Sequence, residues 1–251
     1  MRKTAFYIVL IAIWALVYKL GVDVLEVWKS YAFPSPMSVV ESVGKLMENN
    51  VILIAIVASL KRLIIGYGFS ILAGLAIGFL LYRFKLLEEA LSPVILGLQA
   101  LPSVCWIPFA MLWFGIGESA IIFVTAMGSL FAIAIATEGA IKNIQPLYIK
   151  AAKTMGASGN NLFLKVIIPA ALPNIVSGLK QGWAFAWRSL IAGEMIASTT
   201  GLGHTLMVGR DLQDIGRVVA VMFVIIAIGL LLDKLIFAKI ERQIRTRWGL
   251  N

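Results

Sequence analysis

The sequence predicts an all-α, polytopic membrane protein with about six transmembrane helices in a single transmembrane domain over residues 1–251. Of its residues, 60% are hydrophobic and only 14% are charged. The mean hydropathy is +0.92, which is too apolar for a soluble globular domain. Several apolar runs are long enough to cross about 30 Å of hydrocarbon as helices. They are interrupted by one long polar segment, residues 142–173.

The net charge of +9 would suit a nucleic-acid partner, but its distribution argues against one. The basic residues fall beside the ends of the apolar runs, as the positive-inside rule requires. They are Arg2, Lys3, Arg83, Lys85, Lys142, Lys150, Lys153, Lys165, Lys239, Arg242, Arg245 and Arg247. Their positions predict that both termini and the 142–173 segment are cytoplasmic.

The N-terminal part, residues 1–58, is predicted to hold one span and an amphipathic helix. The span runs from Thr4 to about Val22, and we interpret it as an uncleaved anchor because no small-residue cleavage site follows it. Apolar residues recur at helical spacing over Ser38–Met47, which predicts a helix on the outer surface. Residues 59–240 form the predicted core of the chain.

The core begins with three predicted spans, Ser59–Tyr82, Ala90–Phe114 and Ser119–Ile141. Lys61 and Arg62 would lie at an outer end, where they must snorkel or pair. The middle span is interrupted by prolines at 93, 102 and 108, which a membrane tolerates only where neighbours or a cavity satisfy the released carbonyls. Candidate pathway residues there are Pro102, Ser103 and Trp106, with packing as the alternative.

Two further spans are predicted at Leu172–Thr199 and Val218–Ala238, joined by an outer turn that contains His204. On a helix, Trp183, Trp187, Leu190 and Glu194 would share one face, with Arg188 about 100° around. Ionisable groups inside a bilayer usually face a partner or an aqueous cavity. Trp187, Arg188 and Glu194 are therefore candidate pathway residues, and Arg188 would suit an oxyanion. The alternative is that the two charged residues pair within the bundle.

The polar segment 142–173 is predicted to form a helical hairpin. Helices are expected at Leu147–Met155 and Asn161–Ile168, with Gly156 and Gly159 in the turn because glycine adopts positive φ readily. Pro169 is expected to kink or break the chain before the next span. A basic hairpin between two spans is a candidate docking site, although a solvated loop would have the same composition.

The same hairpin resembles the "EAA" signature of permease subunits of bacterial ABC importers. Ala151-Ala152, then Gly156, then Val166–Pro169 match its spacing, whereas Lys150 replaces the usual glutamate and Ile168 the usual leucine. Segments elsewhere are similar to the nitrate, sulfonate and taurine branch of these permeases. They are Phe33–Pro36, Ser59–Arg62 with Gly66, Leu101–Glu118, Ala192–Met195 and Gly201–Gly203.

The resemblance implies an importer permease in a bacterial inner membrane, working as a homodimer with an ATPase subunit and an extracytoplasmic binding protein. Its coupling loop would contact the ATPase and include Lys150, Ala151, Ala152, Lys153, Met155, Gly156 and Ala157. The substrate would be a small solute such as an organic sulfonate, taurine or nitrate.

No enzymatic activity, cofactor or metal site is predicted for the chain. It has no glycine-rich phosphate loop of its own, so ATP would be hydrolysed on a separate subunit. One cysteine and one histidine also cannot supply a metal-ligand cluster. The alternative functions are a secondary transporter or channel driven by an ion gradient, and a membrane scaffold without transport.

Overall fold

A computed structural model describes residues 2–29, 31–197 and 199–247. All regular secondary structure within these ranges is helical, which confirms the predicted fold class. The chain ends and the side chains of Arg2, Lys3, Arg245 and Arg247 lie outside the described part. The α-helices are α1 Arg2–Tyr18, α2 Pro36–Glu48, α3 Val51–Arg83, α4 Lys85–Ala100, α5 Ile107–Phe114, α6 Glu118–Lys142, α7 Pro146–Thr154, α8 Gly159–Leu162, α9 Ile168–Ile196, α10 Leu202–Asp211, α11 Ile215–Leu232 and α12 Ala238–Arg247. A 3₁₀ turn covers Ser103–Trp106, and π-helical turns cover Lys19–Val24, Phe163–Ile167 and Asp233–Phe237.

Five helical stretches within the described residues are long and apolar enough to cross a membrane. A sixth crossing is possible if the bent pair Lys85–Ala100 and Ser103–Phe114 counts as one span. The five are Ala5–Val24, Val51–Arg83, Glu118–Lys142, Gly159–Ile196 and Ile215–Ile244. The predicted number of about six spans therefore agrees with the structure.

The predicted third span differs most from the structure. Instead of one interrupted helix, the chain turns by 100° between α4 and the segment Ser103–Phe114. The bend falls at Leu101 and Pro102, whose backbones are extended with ψ of 129° and 134°. The residue before a proline avoids the helical region, which explains why α4 ends there. Pro93, by contrast, remains inside α4.

Three further expectations differ from the structure. Pro169 does not break the chain: it is the second residue of α9 and follows directly on the π-helical turn Phe163–Ile167. Helical structure therefore continues from Gly159 to Ile196. The segment after Gly201 is not a simple turn either, since α10 begins at Leu202 and includes His204. The second predicted span also starts eight residues earlier than expected, at Val51.

The described chain divides into two compact units. The first comprises Met1–Ser59 and Glu194–Ile228. The predicted amphipathic helix is confirmed as α2, which starts with an N-cap bond from the Ser38 amide to the Ser35 hydroxyl. Leu46 at its far end packs in a buried cluster with Ile52 and Val221.

The second unit comprises Leu60–Gly193 and Gly229–Asn251. Small residues every four positions bring α3 against α6, since a Cβ at Gly74 would lie 2.8 Å from Ile133 and one at Gly78 would lie 2.6 Å from the Ala134 carbonyl. A Cβ at Gly66 would likewise meet α6, and between these glycines the Ser70 hydroxyl donates to the Ala126 carbonyl at 2.9 Å. The two helices thus meet backbone to backbone.

Candidate functional site

The predicted hairpin is centred on α7. Pro146 lies in the first turn of this helix. Its ring fixes φ near the helical value, and the N–H that proline lacks would have no acceptor within the helix at this position. The helix ends in a Schellman motif. The Ala157 amide donates to the Ala152 carbonyl at 2.9 Å, and the Gly156 amide donates to the Lys153 carbonyl at 3.0 Å. Gly156 has a φ of +88°, so glycine at this position fixes the turn without strain.

Most of the seven predicted coupling residues are exposed. Ala152 is the one buried residue among them, and Ala157 is half-buried. Lys150, Ala151, Lys153, Met155 and Gly156 are exposed, and Met155 is 84% accessible. Leu147 and Tyr148 in the preceding turn are also more than half exposed. The hairpin therefore presents a mixed basic and apolar surface on a short, well-terminated helix.

The base of the hairpin is fixed within the second unit. Ile144, just before α7, belongs to a buried cluster with Ile141 and Ile167, against which Ile149 packs. An open groove of about 1200 Å³ lies beside the turn. It is lined by the end of α3 and by the hairpin, through Ala76, Phe79, Leu80, Tyr82, Arg83, Lys153, Gly156, Ala157, Ser158, Gly159, Asn160, Leu162, Phe163 and Ile167.

The predicted pathway residues after α4 lie at the bend. Pro102 is exposed, whereas Ser103 and Trp106 are half-buried. The Trp106 ring stacks on Phe131 of α6, with the centroids 6.1 Å apart. Ser103 and Ser189 of α9 both come close to Gly128, where a side chain would clash with Ser189. Ser189 was not predicted from the sequence to belong to the candidate site, although it directly follows Arg188.

Trp187 and Arg188 have different surroundings in the second unit. Trp187 is buried and stacks on Trp183 at 6.4 Å between centroids. Arg188 is exposed, its Nε donates to the Ala184 carbonyl at 3.1 Å, and its guanidinium lies 5.2 Å from the centroid of Phe185. The predicted apolar face of α9 is thus packed inside the chain, while the arginine beside it points away from that face.

Glu194 is fully buried in the first unit. Its two carboxylate oxygens each lie 2.8 Å from the Ser59 hydroxyl, which donates to them, and one also accepts from the Gly203 amide at 3.1 Å. The Leu202 amide donates to the Ser59 oxygen at 3.0 Å. A carboxylate at a helix N-terminus is favoured by the unsatisfied amides and the helix dipole. Glu194 and Ser59 therefore cap α10, an arrangement that no local sequence signal predicts.

The two basic residues near the start of the second unit pair with an acid, which accounts for their position. Lys61 Nζ lies 3.3 Å and Arg62 Nη2 lies 3.1 Å from the Glu118 carboxylate. Pairing was one of the two predicted roles. The Arg62 side chain is 2% exposed, so this contact keeps a buried charge compensated.

Residues 66–245 match the family model of the binding-protein-dependent transport system inner membrane component. The match covers most of the chain, including the hairpin and the bend. The chain belongs to this family. It is a member of the permeases of ABC importers, as the hairpin signature predicted.

Individual relatives agree with the assignment of this chain to the permease family. The chain is 34% identical over 200 residues to an ABC transporter permease protein of Methanocaldococcus jannaschii, and the alignment covers 79% of this chain and 73% of that protein. It is 32% identical over 241 residues to the aliphatic sulfonates transport permease protein SsuC of Escherichia coli, covering 96% and 89%. The predicted branch of the family is thereby confirmed.

A solved structure has the same fold. The inward-facing MetNI methionine ABC transporter contains a chain that aligns with a TM-score of 0.67 at 23% identity. The alignment covers 77% of this permease and 96% of that chain.

Proposed function

We propose that the chain is the membrane-spanning subunit of an ATP-driven importer and that α7 is its coupling helix. The observation that carries the proposal is the exposed surface of α7, which is held rigidly by the buried Ala152 and the Schellman turn at Gly156. A rigid helix with little of its own surface buried is suited to fit a groove on a partner. The partner we propose is a separate ATPase subunit in the cytoplasm.

The proposed mechanism follows from this contact. Closure of two ATPase subunits on ATP displaces α7 in each copy of a permease homodimer, and this displacement switches the dimer from inward-facing to outward-facing. An extracytoplasmic binding protein then releases substrate into a pathway between the copies, and hydrolysis resets the transporter. The orientation required, with both termini and the hairpin in the cytoplasm, is supported by the distribution of basic residues.

The proposed substrate is a small anion such as an organic sulfonate, taurine or nitrate. The similarity to a sulfonate permease supports this class. Arg188 adds a chemical reason, because its exposed guanidinium is a donor that matches planar or tetrahedral oxyanions. We include Pro102, Ser103, Trp106, Trp187 and Glu194 in the candidate pathway, with Glu194 acting through α10, which it caps, rather than by direct contact.

A pair of matched substitutions tests the coupling helix. Met155 and Leu212 are the C-cap residues of α7 and α10, and both are well exposed. We expect Met155→Glu to abolish co-purification of the ATPase subunit and ATP-dependent uptake into proteoliposomes, because a charge would enter the docking surface. Leu212→Glu should leave both unchanged. Equal retention of the ATPase by both variants would contradict the proposal, and uptake that needs only an ion gradient would favour a secondary transporter.

The role of Arg188 is tested separately. Arg188→Ala should retain the ATPase subunit but lower uptake of a sulfonate probe such as taurine supplied with the binding protein, because the exposed guanidinium would no longer meet the anion. Arg188→Lys should recover part of the uptake, since it keeps the charge but not the planar fork. Full uptake by Arg188→Ala would assign the arginine to packing alone.

A further inference from the structure

A lysine and two carboxylates form a cluster directly before the coupling hairpin. Lys142 is the last residue of α6, and its ammonium lies 2.8 Å from Glu88 of α4. It also contacts Glu138, one helical turn back on α6. Two acids from two helices therefore share one cation.

The buried acid is also bound by α4. Glu138 is 5% exposed, and its second carboxylate oxygen accepts a hydrogen bond from the Ser92 hydroxyl at 3.0 Å. Glu88 and Ser92 are four residues apart on α4, so they lie on one face of that helix. A buried carboxylate is costly unless cations and donors compensate it. Separation of α4 from α6 would remove the Ser92 donor from Glu138 and the Glu88 carboxylate from Lys142, whereas the Lys142–Glu138 pair within α6 would stay.

The cluster lies between the two segments that the importer mechanism has to connect. Three residues, 143–145, separate Lys142 from α7. In the other direction, α4 leads directly into the 100° bend and the candidate pathway residue Ser103. A displacement of α7 that moves the end of α6 must therefore act on α4 through this contact or break it.

We propose that Glu88, Ser92, Glu138 and Lys142 form a coupling clasp, a set of positioning residues that transmits movement of α7 through α4 to the bent segment. The inference rests on the proposed function, since it requires an ATPase that displaces α7. It adds a named route between the coupling helix and the pathway. The surface pair Lys85 and Glu89, one turn away on α4, lies 3.8 Å apart with both side chains highly exposed, and it contacts no second helix through this ion pair. That pair provides a matched control.

The chain contains its own reporter for the test. Cys105 is the sole cysteine and is exposed in the 3₁₀ turn that follows the bend. The rate at which N-ethylmaleimide alkylates Cys105 would be measured by mass spectrometry in the complete transporter, without nucleotide and with ATP plus vanadate. The unmodified protein should show a several-fold difference between the two states. Lys142→Met should retain the ATPase subunit but lose that difference, Lys142→Arg should restore it, and Lys85→Met should behave as the unmodified protein does.

A second variant distinguishes a loss of coupling from a loss of folding. Glu88→Gln removes the partly exposed acid but leaves Lys142 on the buried Glu138, and it should reduce the nucleotide-dependent difference without lowering the melting temperature. The clasp is overturned if Cys105 responds equally in Lys142→Met and the unmodified protein, or if the unmodified protein shows no response. Absence of any ATPase from the purified unmodified protein would instead overturn the proposed function itself.

Discussion

Two short helices of similar length, α7 and α10, differ in how many of their residues are buried by the rest of the chain. Each connects long helices and ends in an exposed hydrophobic C-cap residue. Helix α7 buries only Ala152, whereas α10 buries Leu202, Gly203, Thr205 and Gly209. The N-terminus of α10 is also bound by Ser59 and Glu194. A helix anchored on its own chain serves as structure, while one that leaves its side chains exposed is available to a partner.

The largest effect should come from removing the anchor of α10. Glu194→Ala leaves the Ser59 hydroxyl and the Gly203 amide buried without their acceptor, at a cost of about 2–4 kcal/mol in the free energy of unfolding. Thermal denaturation of the purified protein in detergent measures it. Lys150→Ala on the exposed face of α7 is the control and should leave the melting temperature unchanged. Equal melting temperatures for both variants would remove the distinction between the helices.

A smaller effect should follow from changing the turn after α7. Gly156→Ala forces an alanine into a left-handed conformation, which costs about 1–2 kcal/mol. The turn relieves this strain by leaving its present shape, so we expect the affinity for the ATPase subunit to fall about five- to thirty-fold while the fold is retained. Gly44→Ala on α2 is the control, because its site is open and helical. Titration of the ATPase into permease nanodiscs measures the change, and undiminished affinity would show that the turn is not used in docking.

Much of the fold follows from the sequence, because the length of an apolar run is a local signal. The predicted span Ser119–Ile141 corresponds to α6 at Glu118–Lys142. The 100° bend after α4 could not be predicted from such local signals. Prolines mark positions where a helix can be interrupted, but tertiary contacts decide how far the chain turns.

For the same reason, the sequence predicted some parts of the candidate site and not others. The hairpin was recognised from contiguous residues, and its glycine turn is where the sequence indicated. The cap of α10 depends on Ser59, which is 143 residues from the amide it binds, and the clasp joins Lys142 to Glu88 across 54 residues. Pairings at such separations leave no periodic pattern in one sequence. Glu194 was therefore predicted only as a candidate pathway residue or a pairing residue within the bundle, and the groups that it binds were not predicted.

The backbone-to-backbone contact between α3 and α6 has a mechanical consequence for transport. Gly74 and Gly78 lie against Ile133, Ala134 and Thr137 of the facing helix with no room for a side chain of their own, so the two helices cannot slide past each other without steric clashes. They are therefore expected to move together as one rigid pair, in which α6 is 25 residues long. A displacement of the end of α6 that adjoins α7 would therefore move α3 with it, whereas the bend that follows α4 lies outside this helix pair.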